Sequence, residues 1–321
     1  MKLHFRRATS IYLRTFPFVL LRLGIGLALG IASLLYFGAI GWMAYTFVDA
    51  GTISGWIVIV GLLVALALFV KAWRLLVRYV LYLVKAGHIA VIAHVIETGE
   101  VPPNQVTYGI EQVKANFTEA SALFAVDQVV KGVIEQFNRR LLSVSDLVDF
   151  APSLEQFVEL LGRALALAAT YIDEAIVAHL FVTEEDNRWQ AAGDGLVLYA
   201  KTWKSVLGST LLIVVGMYAV TGALLLALTP LAGAFGGLST TVEFAGWLVV
   251  GAIVLTIYTG LLKPWVKTVV ITTFLLESRN HSPDAKTRAR IEARSEKFRE
   301  LLGRADAEDE TKARDRPAAP A

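Results

Sequence analysis

The feature that most constrains this chain is a set of four long stretches without an acidic or basic side chain. They cover residues 23–48, 51–70, 205–242 and 244–262. A helix needs roughly 20 apolar residues to cross the hydrocarbon core of a bilayer, where each backbone amide must be bonded within its own segment. We therefore predict an all-α integral membrane protein with four transmembrane helices, near residues 23–47, 54–73, 206–229 and 244–264.

The composition agrees with a membrane protein. Hydrophobic residues make up 55% of the 321 residues, charged residues only 18%, and the mean hydropathy is +0.57. Soluble domains normally carry roughly a quarter charged residues. A net charge of +2 gives no sign of nucleic acid as a partner. The chain has no cysteine, which excludes disulfides, thiol catalysis and thiolate metal sites.

The placement of lysine and arginine predicts the topology. Residues 49–54 and 230–243, which link the paired spans, contain neither cation. Cations are instead concentrated before, between and after the two pairs of spans. Since cytoplasmic loops carry the excess of lysine and arginine, we predict a multi-pass protein of the plasma membrane with both termini cytoplasmic.

A ten-residue motif occurs before the first and the third predicted span. Residues 11–20 and 198–207 both read aliphatic, Tyr, any residue, cation, Thr, aromatic, two further residues, Val, Leu. Such aromatic and basic side chains are typical of anchors at the headgroups. Gly-Trp and Lys-x-Trp pairs follow in both halves. We predict two pseudo-equivalent hairpins related as a parallel repeat; independent convergence of two inward-starting spans on similar anchors is the alternative.

The two hairpins divide the chain into five predicted segments. These are a basic interfacial N-terminal segment (1–22), a first hairpin with a cytosolic helix extension (23–85), a cytosolic helical insert (86–197), a second hairpin (198–277), and a charged helix followed by a tail, disordered beyond about residue 304 (278–321).

Four cations follow the second predicted span at helical spacing. Lys71, Arg74, Arg78 and Lys85 would share one face of a regular α-helix. A cationic face just inside the bilayer predicts contact with anionic lipid headgroups or another anion. The alternative is that these residues serve only the positive-inside topology.

Three ionisable residues interrupt a later apolar run. Asp173, Glu174 and His179 lie in an otherwise apolar helical stretch, where an unpaired charge is costly to bury. We predict a structural ion-pair network, with Arg139, Arg140 or Arg163 as cationic partners. A metal site that adds His94 and Glu97 is an alternative, but the spacing lacks the Glu-x-x-His pairs of bundle metal sites, so no metal is predicted.

Small residues at four-residue spacing occur in the first two spans. Gly26 and Gly30 form one pair, and Gly61 and Ala65 form the other. Such faces let helix backbones approach closely in lipid. The spacing predicts helix packing, either within one chain or between chains.

Catalytic motifs are missing from the sequence. It contains no phosphate-binding loop, no Gly-x-Ser-x-Gly elbow and no His-Glu-x-x-His. The spans also lack a charged residue at mid-depth, which ion-coupled transporters need. We therefore expect a non-catalytic scaffold or accessory subunit of a membrane complex, without cofactor, with membrane lipids and further copies of the chain as partners. An oligomeric channel lined by Gly, Thr and Tyr is the first alternative, and a membrane enzyme or transporter is the second.

Overall fold

The computed structural model describes residues 4–51, 54–116, 120–141, 170–234 and 240–314. Within these ranges the chain forms helices and connecting turns, and no strand. In chain order the helices are α1 Phe5–Arg14, α2 Phe16–Asp49, α3 Gly55–Leu76, α4 Tyr82–Thr98, α5 Gln105–Asn116, α6 Ala120–Leu141, α7 at residues 170–180, α8 Arg188–Gly233, α9 Thr240–Ile257, α10 Lys263–Ser278, α11 Ala285–Glu292 and α12 Glu296–Arg314.

Four helices are long and apolar enough to cross a membrane, as the charge-free stretches predicted. They cover Phe16–Asp49, Gly55–Thr98, Arg188–Gly233 and Gly246–Ser278. Each extends beyond the apolar stretch that marked it. The 44-residue helix Gly55–Thr98 is about 66 Å long, roughly twice the thickness of a hydrocarbon core. The same helices therefore form both the spans and part of a protein body beyond them.

Two of these helices contain a π-turn. The first π-turn, Val77–Leu81, joins α3 to α4, and the second, Tyr258–Leu262, joins α9 to α10. Pro264 explains the second one, because proline has no N–H to donate to the carbonyl four residues earlier. The Tyr12 hydroxyl donates to the carbonyl of Leu261 within this π-turn at 3.1 Å. A π-turn holds extra residues per turn, so it changes which side chains share a face above and below it.

The main core lies beyond the spans, in a helical body. This body consists of α1, α4 to α7, the N-terminal half of α8, and α10 to α12. Helices α4 and α10 are buried on nearly all sides, and large side chains such as Ile92, Phe274 and Phe298 are fully enclosed. A much smaller cluster joins α8 and α9 at Ala232, Val250 and Val254.

A pair of glycines sets the contact between α4 and α5. A Cβ atom on Gly109 would lie 2.7 Å from the Gly87 carbonyl oxygen and 2.9 Å from the ring of Phe18. No side chain fits there without movement of the backbone. The two helices therefore cross at backbone contact distance.

The C-terminal helix is longer than predicted. Helix α12 continues to Arg314, whereas disorder was expected from about residue 304. Ion pairs of i,i+4 spacing, such as Lys312–Glu308 at 2.7 Å, support its exposed face. Asn187, the N-cap of α8, also donates to the Ala305 carbonyl and to Asp309 at 2.7 and 2.8 Å. Packing against α8 therefore orders a segment whose composition alone predicts disorder.

The two copies of the ten-residue motif have similar surroundings. Tyr12 and Tyr199 are both buried, and Thr15 and Thr202 each donate to the carbonyl four residues earlier. The tyrosines belong to the protein core and are not headgroup anchors, because neighbouring helices cover them. The repeat itself stays a prediction.

The second pair of matching motifs does not fall at equivalent places. Lys71 precedes the first π-turn, whereas Lys263 directly follows the second. The proposed segment limits at residues 85/86 and 197/198 lie inside the continuous helices α4 and α8. Much of the apolar helical stretch predicted around Asp173 and Glu174, including Arg163, lies outside the described residues.

Candidate functional site

The centre of the site is a carboxylate held between two lysines. Glu174 on α7 places Oε1 2.5 Å from Lys267 Nζ on α10 and 3.4 Å from Lys85 Nζ on α4. Only about 6% of the Glu174 side chain is exposed. The three helices come from distant parts of the sequence, and this one carboxylate joins them.

Three more charged groups complete what we call the charge cluster. Arg22 on α2 acts electrostatically on Glu174 and Lys267, Asp127 on α6 acts on Lys85, and Asp173 precedes Glu174 on α7. The cluster therefore consists of Arg22, Lys85, Asp127, Asp173, Glu174 and Lys267.

The three carboxyl groups of the charge cluster differ in pKa. Burial acts against ionisation of Glu174, but Lys267 and Lys85 outweigh it and lower the pKa of this carboxyl to about 2. Burial, followed by the charges of Glu174 and Asp127, raises the pKa of Asp173 to about 8. Burial also raises the pKa of Asp127. At neutral pH Glu174 is therefore ionised, while Asp173 mostly keeps its proton.

Several polar atoms of the site have no hydrogen-bond partner among the described residues. They are Asp127 Oδ1, Glu174 Oε2 and the hydroxyl of Tyr171. Asp173 does have a hydrogen-bond partner, because its Oδ1 accepts from the Glu174 backbone N–H at 2.7 Å.

The described residues include no group of three or more His, Asp or Glu side chains placed to hold a metal. Glu174 is already paired with two ammonium groups, which disfavours a further cation.

No model of a known protein family, no curated protein and no solved structure matches this chain. Its function has to be argued from its own residues.

The three predicted network residues occupy different environments. Asp173 and Glu174 lie in the charge cluster, where the lysines of α4 and α10 are charged neighbours that the sequence did not predict. The side chains of Arg139 and Arg140, like Arg163, lie outside the description. His179 packs its ring beside Gly195, and burial lowers its pKa to about 4, although the charge of Glu97 acts to raise it. It is a neutral core histidine.

The predicted basic stripe is divided by the first π-turn. Lys71 and Arg74 are exposed beside an apolar groove of about 620 Å³ on α3. Lys85 instead points into the charge cluster. The predicted common face assumed 3.6 residues per turn throughout, and one extra residue rotates the helix by about 100°. The side chain of Arg78, in this turn, lies outside the description.

The predicted packing glycines face open space. A Cβ atom added at Gly26, Gly30 or Gly61 would meet no described atom within 4 Å. Ala65 does lie at a contact between helices. Its backbone carbonyl accepts a hydrogen bond from the Tyr36 hydroxyl at 2.8 Å, which joins α2 to α3. The small residues therefore do not pack helices against one another within the described part of the chain.

Sequence reasoning missed half of the charge cluster. Arg22 was not assigned a role, Lys267 was counted only for topology, and Asp127 was overlooked. Asp127 had a usable signal, since it lies between Leu123 and Val130 on the apolar face of α6, where only partnered polar groups are expected. Its partners come from other helices and could not be inferred from spacing.

Proposed function

We propose that the chain is a non-catalytic scaffold of a membrane complex that assembles through its first hairpin, α2 and α3. Its helical body would lie on the cytoplasmic side together with both termini, as the lysine and arginine placement predicts. The observation that carries this proposal is how little the first hairpin contacts the rest of the chain.

The most apolar 18-residue window of the helix Gly55–Thr98 buries none of its residues, and that of Phe16–Asp49 buries 11%. Gly38 and Gly41 in α2 and Gly61 in α3 face open space. In lipid, helices associate mainly through close backbone packing, which small residues permit. A second copy is the partner best suited to such a face, because α2 and α3 of one chain could pack against those of another.

The charge cluster supports a structural role for the body. Its cations and carboxylates come from the first hairpin, α6, α7 and the second hairpin, so it ties the hairpins to the body between them. Asp173 and Glu174 would then be retained for the fixed geometry of the junction. Whether the hairpins are also a true repeat does not alter this role.

The hydroxyls of the spans favour a scaffold over a pore. Thr221, Thr256 and Thr259 each donate to the carbonyl four residues earlier in their own helix, at 2.7 to 2.8 Å. Their hydrogen atoms are therefore engaged within the helix, and only their oxygen lone pairs remain for a permeating cation or water. The pore interpretation relied on these groups.

Lys71 and Arg74 would contact anionic lipid headgroups at the membrane surface. Both are exposed, and each cation near an anionic leaflet gains roughly 1 kcal/mol. Such contact would be with the lipids that surround the scaffold and would not require one lipid bound in a fixed orientation.

The mass of the full chain in lipid nanodiscs tests the scaffold. We expect a multiple of 35.0 kDa for the unmodified chain. Gly38→Leu together with Gly61→Leu should reduce it to the monomer, because leucines would separate the backbones. Gly222→Leu in α8, also in open space, is the matched control and should leave the mass unchanged. A monomeric unmodified chain at every protein concentration would exclude assembly through this hairpin.

The orientation has its own test, which the lack of native cysteine makes simple. An impermeant thiol reagent applied to intact cells should label Ser54→Cys and leave Glu100→Cys unlabelled. The opposite pattern would place the helical body outside the cytoplasm.

A further inference from the structure

A groove opens between α2 and the end of the fourth span. It has a volume of about 810 Å³, within the ~300–1,000 Å³ range of small-molecule sites. Leu23, Leu27, Ile31 and Leu34 line it from α2, and Thr256, Thr259 and Gly260 line it from α9 and the second π-turn. Leu81 of the first π-turn also lines it, so that three separate helices build this groove.

The glycines leave space in the groove, and hydrogen bonds within the helix reduce the polarity of its threonines. Gly26 and Gly30 line it, and no described atom lies within 4 Å of where their side chains would begin. The hydroxyls of Thr256 and Thr259 donate to their own helix, which leaves their methyl groups for the groove. Such a surface suits a hydrocarbon chain.

One end of the groove carries a cation. Arg22 lines the groove at the border of the charge-free stretch that begins at Leu23. Among the described residues no carboxylate lies within ion-pairing distance of its guanidinium, although Glu174 acts on it at longer range. A guanidinium has five N–H donors and binds phosphate oxygens in pairs.

The charge cluster behind Arg22 has an excess of positive charge. Lys85 and Lys267 share the single carboxylate Glu174, while burial favours the protonated forms of Asp127 and Asp173. Arg22 is thus the member of a net cationic cluster that reaches the groove. The groove therefore complements an anion at this end and hydrocarbon along the rest.

We propose that this groove binds one anionic phospholipid, with its phosphate on Arg22 and one acyl chain along Gly26 and Gly30. From Arg22 to Leu34 the helix rises about 18 Å, close to the depth of one leaflet, which is half of a ~30 Å core. The occupant is a phospholipid rather than free phosphate because most of the lining is apolar. The proposal does not depend on assembly of the scaffold.

Native mass spectrometry of the full chain, purified in mild detergent and titrated with phosphatidylglycerol, tests the site. We expect one tightly held lipid per chain and a rise in melting temperature, and a weaker effect with phosphatidylcholine. Arg22→Gln should weaken retention about tenfold or more, because a charge-assisted bidentate contact is lost. Gly26→Leu with Gly30→Leu should abolish retention while Arg22 remains, since the new side chains fill the groove.

Gly38→Leu is the control for the groove-filling variant, because it adds the same bulk to α2 in open space outside the groove. Lys71→Gln with Arg74→Gln controls for annular lipid and should leave the tight lipid in place. The groove-filling variant keeps the proposal testable even if Arg22→Gln fails to fold.

Three results would overturn the proposal. The groove-filling variant could retain as much lipid as Gly38→Leu. Inorganic phosphate could stabilise the chain as much as phosphatidylglycerol does, which would assign the site to a free anion. The groove-filling variant could instead dissociate an oligomer that holds no lipid, which would show that a second copy occupies the groove.

Discussion

The two halves of the helix Gly55–Thr98 are alike in sequence character and opposite in surroundings. Both are strongly apolar, and the first π-turn divides them. Helix α3 buries none of its residues, whereas α4 buries ten of its 17. The comparison teaches that an apolar surface on all sides of a helix does not identify its solvent. In α3 this surface is left uncovered by the described chain, whereas other helices cover it in α4.

The charges on the two halves differ in the same way. Lys71 and Arg74 on α3 are exposed, and Lys85 on α4 pairs with buried Glu174. A cation leaving a span can therefore serve topology or hold a core together, and the sequence of one helix does not distinguish these roles. Four pairs of substitutions test this contrast, in order of decreasing expected effect.

The largest effect should come from the carboxylate that holds α4 in place. Glu174→Gln leaves Lys85 and Lys267 buried without their anion, so we expect a loss of about 3–5 kcal/mol. The control is Glu300→Gln, which removes a surface partner of Lys297 and Arg304 and should cost at most about 1 kcal/mol. Thermal unfolding of the detergent-solubilised chain measures both. Equal losses would mean that the cluster contributes no more than a surface pair.

Apolar truncation compares the two halves directly. Ile96→Ala in α4 creates a cavity at a fully buried position, and a loss of about 2–5 kcal/mol is expected. Leu63→Ala in α3, where the side chain is 61% exposed, should stay within about 0.5 kcal/mol. Denaturant unfolding of both variants in the same micelle gives the comparison. A large loss at Leu63 in a monomeric sample would show an intrachain contact on α3.

Glycine substitution gives a smaller contrast. Gly109→Ala forces a methyl group against the Gly87 carbonyl where α4 crosses α5, with an expected loss of about 1–3 kcal/mol. Gly61→Ala in α3 meets open space and should be neutral or stabilise by up to about 1 kcal/mol. The melting temperatures should therefore move in opposite directions. A stabilising Gly109→Ala would contradict the close crossing.

The smallest effect concerns proton uptake at the cluster. The pKa of Asp173 is about 8 in the folded chain and near 3.8 when unfolded, so between these values the folded chain holds the extra proton. From about pH 6.5 to 8, above the range in which protonation of buried His179 would destabilise the fold, stability should therefore fall as pH rises, by at most about 1.4 kcal/mol per pH unit. The low pKa of Glu174 acts only below about pH 4.5 and does not alter the sign.

Asp173→Asn should remove this decline when melting temperatures are compared at pH 6.5, 7 and 8. The control is Asp306→Asn on α12, an exposed position that should leave the slope unchanged. An identical slope in Asp173→Asn would assign the proton to another group.

The sequence by itself determined the all-helical class and the four spans. Absent charges are a local property, since a bilayer excludes them wherever they occur along a helix. It also predicted that Asp173 and Glu174 need partners, because their apolar neighbours are visible in the same run. The predicted partners Arg139, Arg140 and Arg163 were chosen by proximity in sequence, which is not informative for contacts between helices.

Only the tertiary structure decided which residues meet at Glu174. Lys85 and Lys267 are separated from it by long stretches of chain, and the pairing depends on how α4, α7 and α10 pack. The one extra residue in the first π-turn rotates Lys85 away from the face of Lys71. Nothing in the sequence of this turn predicts the extra residue. The open faces of Gly26, Gly30 and Gly61 were likewise undecided, because close packing depends on a neighbouring helix and not on the glycine alone.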